Sequence, residues 1–128
     1  MCILIVDDEP DARDMMSTFL SLSGYETATA TNGKEALAQA LAGPPAVILL
    51  DIEMPVMSGV GFRENQLQEP TIADVPVVCI SGRHNAHAIA EQLGVAACLT
   101  KPIALDRLLD ILHRLTAGTS HCAHSRAR

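Results

Sequence analysis

Asp7 and Asp8 directly follow an apolar run at 2–6, and Asp51 follows a second at 46–50. Ser81 comes straight after a third run at 77–80, and Lys101 comes one threonine after a fourth at 96–99. If the runs are neighbouring strands, all five polar groups reach one sheet edge. Three carboxylates drawn together repel one another unless a cation joins them. An all-oxygen set of this kind suits Mg²⁺, which keeps several waters and often shares its shell with a phosphate. A lysine and a hydroxyl aimed at the same spot add donors for phosphoryl oxygens. Such a set could move a phosphoryl group to or from a carboxylate. Taken singly, each signal has a plainer meaning. Asp-Asp before Glu-Pro makes a helix N-cap, an Asp after a strand makes a turn, and Lys-Pro makes a loop. Their joint placement at four strand ends carries the inference.

The elements that must position these groups are legible in the pattern. The four runs are short, β-branched and continuously apolar, as in strands covered on both faces of a parallel sheet. A fifth, more polar stretch at 25–30 reads as an edge strand. Between them, Ala12, Met15, Met16, Phe19 and Leu22 recur at helical spacing, with Pro10 near the start and Gly24 past the end. Ala36, Leu37, Ala40 and Leu41 mark a second helix, closed by Gly43-Pro44-Pro45. Ala86, Ile89, Ala90 and Leu93 mark another, ended by Gly94. Leu105, Leu108, Leu109, Leu112 and Leu115 form the clearest stripe. The segment 60–67 is the weakest helix, because Gly61 and Asn65 are poor helix formers. Strand and helix thus alternate five times, which predicts an α/β, three-layer, doubly wound parallel sheet with right-handed crossovers. Ligands of such sheets bind at the carboxyl ends of the strands, where the acids stand.

The totals narrow the function further. At 128 residues, the chain is about one domain long, with 48% hydrophobic and 19% charged residues, a composition that suits a packed globule. A formal net charge of −6 without a basic stripe disfavours a nucleic-acid face. The apolar runs fall far short of the roughly 20 residues a membrane helix needs. No basic, signal-like segment precedes the first run. A cytoplasmic protein with no membrane or direct nucleic-acid partner is expected. Cys2, Cys79, Cys98 and Cys122 form no C-x-x-C pair and read as reduced, mostly buried thiols. Residues 1–116 are expected to form the domain, and 117–128 a flexible tail. His84 and His87 sit at the start of the fourth helix, and the His121-Cys122-Ala123-His124 cluster reads as a solvated tail rather than a metal site.

Ile5-Val6-Asp7-Asp8-Glu9-Pro10, Leu50-Asp51-Ile52-Glu53-Met54-Pro55 with Ser58-Gly59, Ile80-Ser81-Gly82 and Thr100-Lys101-Pro102 resemble the motifs of bacterial response-regulator receiver domains. The resemblance runs from residue 2 to about Leu115. It implies a flavodoxin-like receiver fold with strand order 2-1-3-4-5. It also implies that Asp51 accepts a phosphoryl group from a histidine kinase or histidine phosphotransfer protein. Asp8 and Asp51 would hold Mg²⁺ by side chain, Asp7 largely through water, and Glu53 through its backbone carbonyl. Lys101 and Ser81 would contact phosphoryl oxygens, the Lys101–Pro102 bond would be cis, and Gly82 would leave room beside the phosphoryl group. Output to a downstream effector would pass through the fourth helix, fifth strand and fifth helix. Such a domain is a signalling switch, not an enzyme acting on other substrates.

The sequence departs from the resemblance at Cys98, where many receivers carry the Tyr or Phe whose ring turns inward on activation. The simplest account is that Cys98 packs as a small hydrophobe. The resemblance also implies that Glu53 and Arg83 occupy the two variable positions flanking the phosphoryl group. There they either pair across it and partly screen it from water or stay solvated and unpaired, exposed pairs being worth only about 0–1 kcal/mol. Two other functions compete. A degenerate interaction module would not need the Asp8, Asp51, Ser81 and Lys101 set. An aspartate-nucleophile phosphohydrolase usually carries Asp-x-Asp on its first strand, whereas Asp7 and Asp8 are adjacent and point apart.

Overall fold

Five strands and five helices alternate along the chain: β1 (Cys2–Val6), α1 (Pro10–Leu22), β2 (Glu26–Ala30), α2 (Gly33–Ala42), β3 (Val47–Asp51), α3 (Gly59–Leu67), β4 (Val77–Ser81), α4 (Ala86–Leu93), β5 (Ala97–Thr100) and α5 (Leu105–Ala117). The computed structural model describes residues 2–52, 59–82 and 86–117. The strands pair in parallel in the order β2-β1-β3-β4-β5, so the chain winds outward from β1 in both directions. The strand order is the one implied by the resemblance, and β2 is an edge strand as its polarity predicts.

The continuous apolar runs are explained by their two neighbours. Alternate residues of one strand enter different cores, because successive side chains point to opposite sheet faces. Ile3, Ile5, Val47, Leu49, Val78 and Ile80 pack under α1 and α5, whereas Leu4, Val6, Ile48, Leu50, Val77 and Cys79 pack under α2, α3 and the stretch before β4. Gly24 and Gly94, which follow α1 and α4, hold φ values of 101° and 67°, the left-handed region where a Cβ is costly. At α2, Asn32 accepts the Glu35 N–H at 2.8 Å while Glu35 accepts the Thr31 N–H at 2.7 Å. This reciprocal cap satisfies two donors at the helix start.

Two expectations need correction. The α1 stripe does not include Leu22, which is 84% exposed, nor Met15, which is 59% exposed; Met16 and Leu20 carry the burial instead. Met16 and Leu20 are four residues apart and share a face, whereas Leu22 lies about 200° round the helix from Leu20 at 3.6 residues per turn. The thiols are also less uniform than expected: Cys79 is buried, but Cys2 and Cys98 are only half-buried. Cys98 does pack against the α2–α4 core as a small hydrophobe would.

The weak pattern at α3 has a structural cause. Its inward face carries Phe62, Arg63 and Gln66, two of them polar and all buried. Arg63 donates to the carbonyls of Leu93 (2.9 Å) and Gly94 (2.8 Å), just where α4 ends, and to Gln66 Oε1 at 2.7 Å. Gln66 in turn donates to the carbonyls of Ile72 (2.8 Å) and Val75 (3.0 Å). This clamp ties α3, the end of α4 and the approach to β4 together through satisfied polar groups. Burial lowers the Arg63 pKa from its usual value, because a guanidinium loses hydration there.

Candidate functional site

The registers of β1, β3 and β4 bring three of the four motif segments to one end of the sheet. Val6 pairs with Leu50, and Asp51 pairs with Ile80, so Asp7, Asp51 and Ser81 fall on the same edge. Asp51 and Ser81 are the last residues of their strands rather than the first beyond them, one residue later than the apolar runs suggest. Lys101 follows β5 directly, and its N–H donates to the Ser81 carbonyl at 2.8 Å. This backbone bond fastens the fourth segment to the third.

The polar groups converge as expected. One carboxylate oxygen each from Asp7, Asp8 and Asp51 lies within 4.8 Å of the others. Asp51 is 3% exposed, Asp7 half-buried and Asp8 exposed, so the cluster grades from the sheet interior to solvent. Lys101 Nζ lies 3.3 Å from Asp51 Oδ2, and its own side chain remains about 43% exposed. Ser81 is fully buried at the end of β4. The Lys101–Pro102 peptide is cis. Glu53 and Arg83 lie outside the described residues, as do Ser58, His84 and the tail histidines.

Local contacts hold Asp7 in place. Its N–H donates to the Ala30 carbonyl at 3.1 Å, and its Oδ1 accepts the Glu9 N–H at 2.9 Å. Its carbonyl accepts from Arg13 Nη1 at 2.9 Å. Arg13 escapes the sequence reading; the available signal is its place one turn into α1, where a side chain leans back toward the helix start. Beside the acids lies a cavity of about 300 Å³ between α1 and the start of α5. Ile5, Met15, Met16, Leu49, Ile80 and Ile103 supply its apolar lining, and Asp7, Glu9 and Lys101 border it.

The acid set fits a small hard cation. Octahedral Mg²⁺ with bonds of about 2.1 Å spaces its ligand oxygens by at most about 4.2 Å. Adjacent ligands sit closer, at about 3.0 Å. Carboxylates within 4.8 Å of one another would therefore draw together by side-chain rotation or share the ion through a bridging water. The donors are all oxygens, and one carboxylate faces solvent where Mg²⁺ would keep its waters.

The response regulator receiver domain model matches residues 3–113. The chain belongs to that family. Receiver domains are the phosphoryl-accepting modules of two-component signalling, and the five-stranded order and acid pocket are what that family requires. The chain is 37% identical over 114 residues to the regulatory protein AtoC of Escherichia coli, covering 88% of this chain and 24% of that one. The transcriptional regulatory protein PrrA of Mycobacterium tuberculosis is 37% identical over 109 residues, 84% of this chain and 46% of that one. The chain therefore spans about a quarter to a half of these curated relatives. Among solved structures, the chemotaxis protein CheY4 of Vibrio cholerae superposes with a TM-score of 0.82 at 32% identity, covering 89% of this chain and 97% of that one. The response regulator TrrA of Thermotoga maritima, solved in complex with Mg²⁺ and BeF, gives 0.79 at 29% identity with the same coverages.

Proposed function

We propose that this receiver takes a phosphoryl group onto Asp51 from a histidine kinase or histidine phosphotransfer protein in a Mg²⁺-dependent reaction. The observation that carries the reading is the surroundings of Asp51: a buried carboxylate with a lysine ammonium 3.3 Å away and two further acids within 4.8 Å. An Asp51 carboxylate oxygen attacks phosphorus while the donor's P–N bond breaks and the imidazole leaves. Transfer of this kind is mostly positioning and charge stabilisation, so few groups suffice. Asp7, Asp8 and Asp51 would hold the metal, with the Glu53 carbonyl as a further ligand. Bound Mg²⁺ would offset the negative charge of the acids and the incoming phosphoryl oxygens. Lys101 supplies a second positive charge, and Ser81 a hydroxyl donor, at the phosphoryl position. Arg13 and the Glu9 N–H hold Asp7 so that its carboxylate stays at the edge.

The same geometry is compatible with the partners proposed. The apolar cavity beside the acids gives a phosphodonor helix a footing next to its histidine, with Met15 at the rim. An aspartyl phosphate adds about two negative charges, enough to reorganise a nearby loop and bias the α4–β5–α5 surface toward a downstream effector. A cytoplasmic setting fits this reading, and no helix among the described residues is long and apolar enough to cross a membrane. Glu53 and Arg83 would screen the phosphoryl group from water; unchanged dephosphorylation rates in Glu53→Ala and Arg83→Ala would end that part.

The test is to incubate the chain with Mg²⁺ and a small acyl phosphate and locate the added mass. One phosphoryl group on Asp51, absent in Asp51→Asn and without Mg²⁺, is expected. Label on another residue, or label that ignores Mg²⁺, would overturn the reading.

A further inference from the structure

Cys79 of β4 and Cys98 of β5 are register partners on adjacent parallel strands, and both face the α2–α4 core. Neighbouring strands lie about 4.8 Å apart, and partners in register project from the same face. That spacing falls within the roughly 4.4–6.8 Å Cα separation a disulfide accepts. Parallel Cβ vectors stand farther apart than the ~3.8 Å a relaxed disulfide favours, so closing the bond pulls the strands together. Strained disulfides are the readily reduced ones. The two thiols also differ in access: Cys79 is wholly buried and Cys98 half-buried, so an oxidant meets Cys98 first.

We propose that Cys79 and Cys98 form a reversible redox pair, closed by hydroperoxides and opened by dithiols. The Cys98 thiol takes the terminal oxygen of the hydroperoxide, giving Cys98–SOH and releasing an alcohol, or water when the oxidant is hydrogen peroxide. The Cys79 sulfur then attacks the Cys98 sulfur; hydroxide leaves and carries off the Cys79 proton as water. Two thiols lose two electrons and two protons, and the hydroperoxide is reduced by the same two electrons. Burial pushes the Cys79 thiol up to about 12, and neighbouring Cys98 adds to this, while the Arg63 guanidinium pulls it back down. Arg63 is thus the group that favours the attacking thiolate. The bond would join β4 to β5 two residues before Ser81 and three before Lys101, stapling together the strand ends that carry both. The sulfur chemistry itself does not involve Asp51.

The test uses the full chain with Cys2→Ser and Cys122→Ser, leaving only the pair. The protein is treated with graded hydrogen peroxide without denaturant, alkylated, digested without reductant and analysed by mass spectrometry. The expected product is a Cys79–Cys98 linked peptide, lighter by one pair of hydrogens. It should be reversed by dithiothreitol, absent in Cys98→Ser, and unchanged in Asp51→Asn. Unchanged circular dichroism after oxidation would show that the folded protein carries the bond. Three outcomes would each overturn the proposal: Cys98 driven to sulfinic acid while Cys79 stays reduced, links only between molecules, or closure only in urea.

Discussion

The two faces of the sheet are covered by different means. Under α1 and α5 the core is mainly apolar: Met16, Leu20, Leu108, Ile111 and Leu112 join Ile3, Ile5, Leu49, Val78 and Ile80. Under α2, α3 and α4 the helices bring smaller residues, Ala36 and Ala40, with one large ring, Phe62. That layer also carries the Arg63–Gln66 clamp. An apolar layer stabilises in proportion to area and tolerates similar shapes. A buried polar clamp instead loses several partners when one member goes. The face under α2, α3 and α4 is therefore secured by direction as well as by area.

That contrast can be broken at several points. The largest effect is expected for Leu112→Ala, which opens a cavity in the apolar layer and should cost about 3–4 kcal/mol in urea unfolding. A loss below about 1 kcal/mol would mean that this layer repacks freely. Arg63→Ala should follow at about 3 kcal/mol, because Gln66 and two carbonyls lose their donor. The double variant Arg63→Met with Gln66→Leu should recover most of that loss, as apolar replacement of buried polar sets often does. A double variant no better than Arg63→Ala would show that the carbonyls, not the side chains, set the cost.

Cys79 sharpens the contrast through pH. Its folded pKa is raised from 9.0 to about 12, so the native state holds a proton that the unfolded state gives up first. The corresponding stability is complete below pH 9 and drains away as pH rises from there toward about 12. Denaturation of the wild type and Cys79→Ala across that range should converge, the variant showing the shallower fall; parallel curves would contradict the shift. A smaller change is expected for Asn32→Ala, which removes the α2 cap and should cost about 1 kcal/mol by thermal unfolding. Leu22→Gln on α1 should stay within about 0.5 kcal/mol of the wild type, since its side chain is already in water. A larger loss there would restore Leu22 to the α1 stripe.

Much of the molecule is determined locally and can be read along the chain. Apolar runs bounded by acids, a leucine stripe at helical spacing and glycines past helix ends are short-range patterns, and every element expected from them is present. The acid cluster is legible too, because the strand ends of a parallel α/β sheet share one edge whatever the details of packing. Tertiary structure decides what depends on register and on helix rotation. Arg63 and Gln66 look like surface residues until α3 turns them toward the end of α4. Leu22 looks like core until α1 turns it to solvent. Cys79 and Cys98 become neighbours only because β4 and β5 pair without a one-residue slip, and a slip would put them on opposite faces. Local energies choose strand or helix, but which side chains meet is settled by how the layers close on one another.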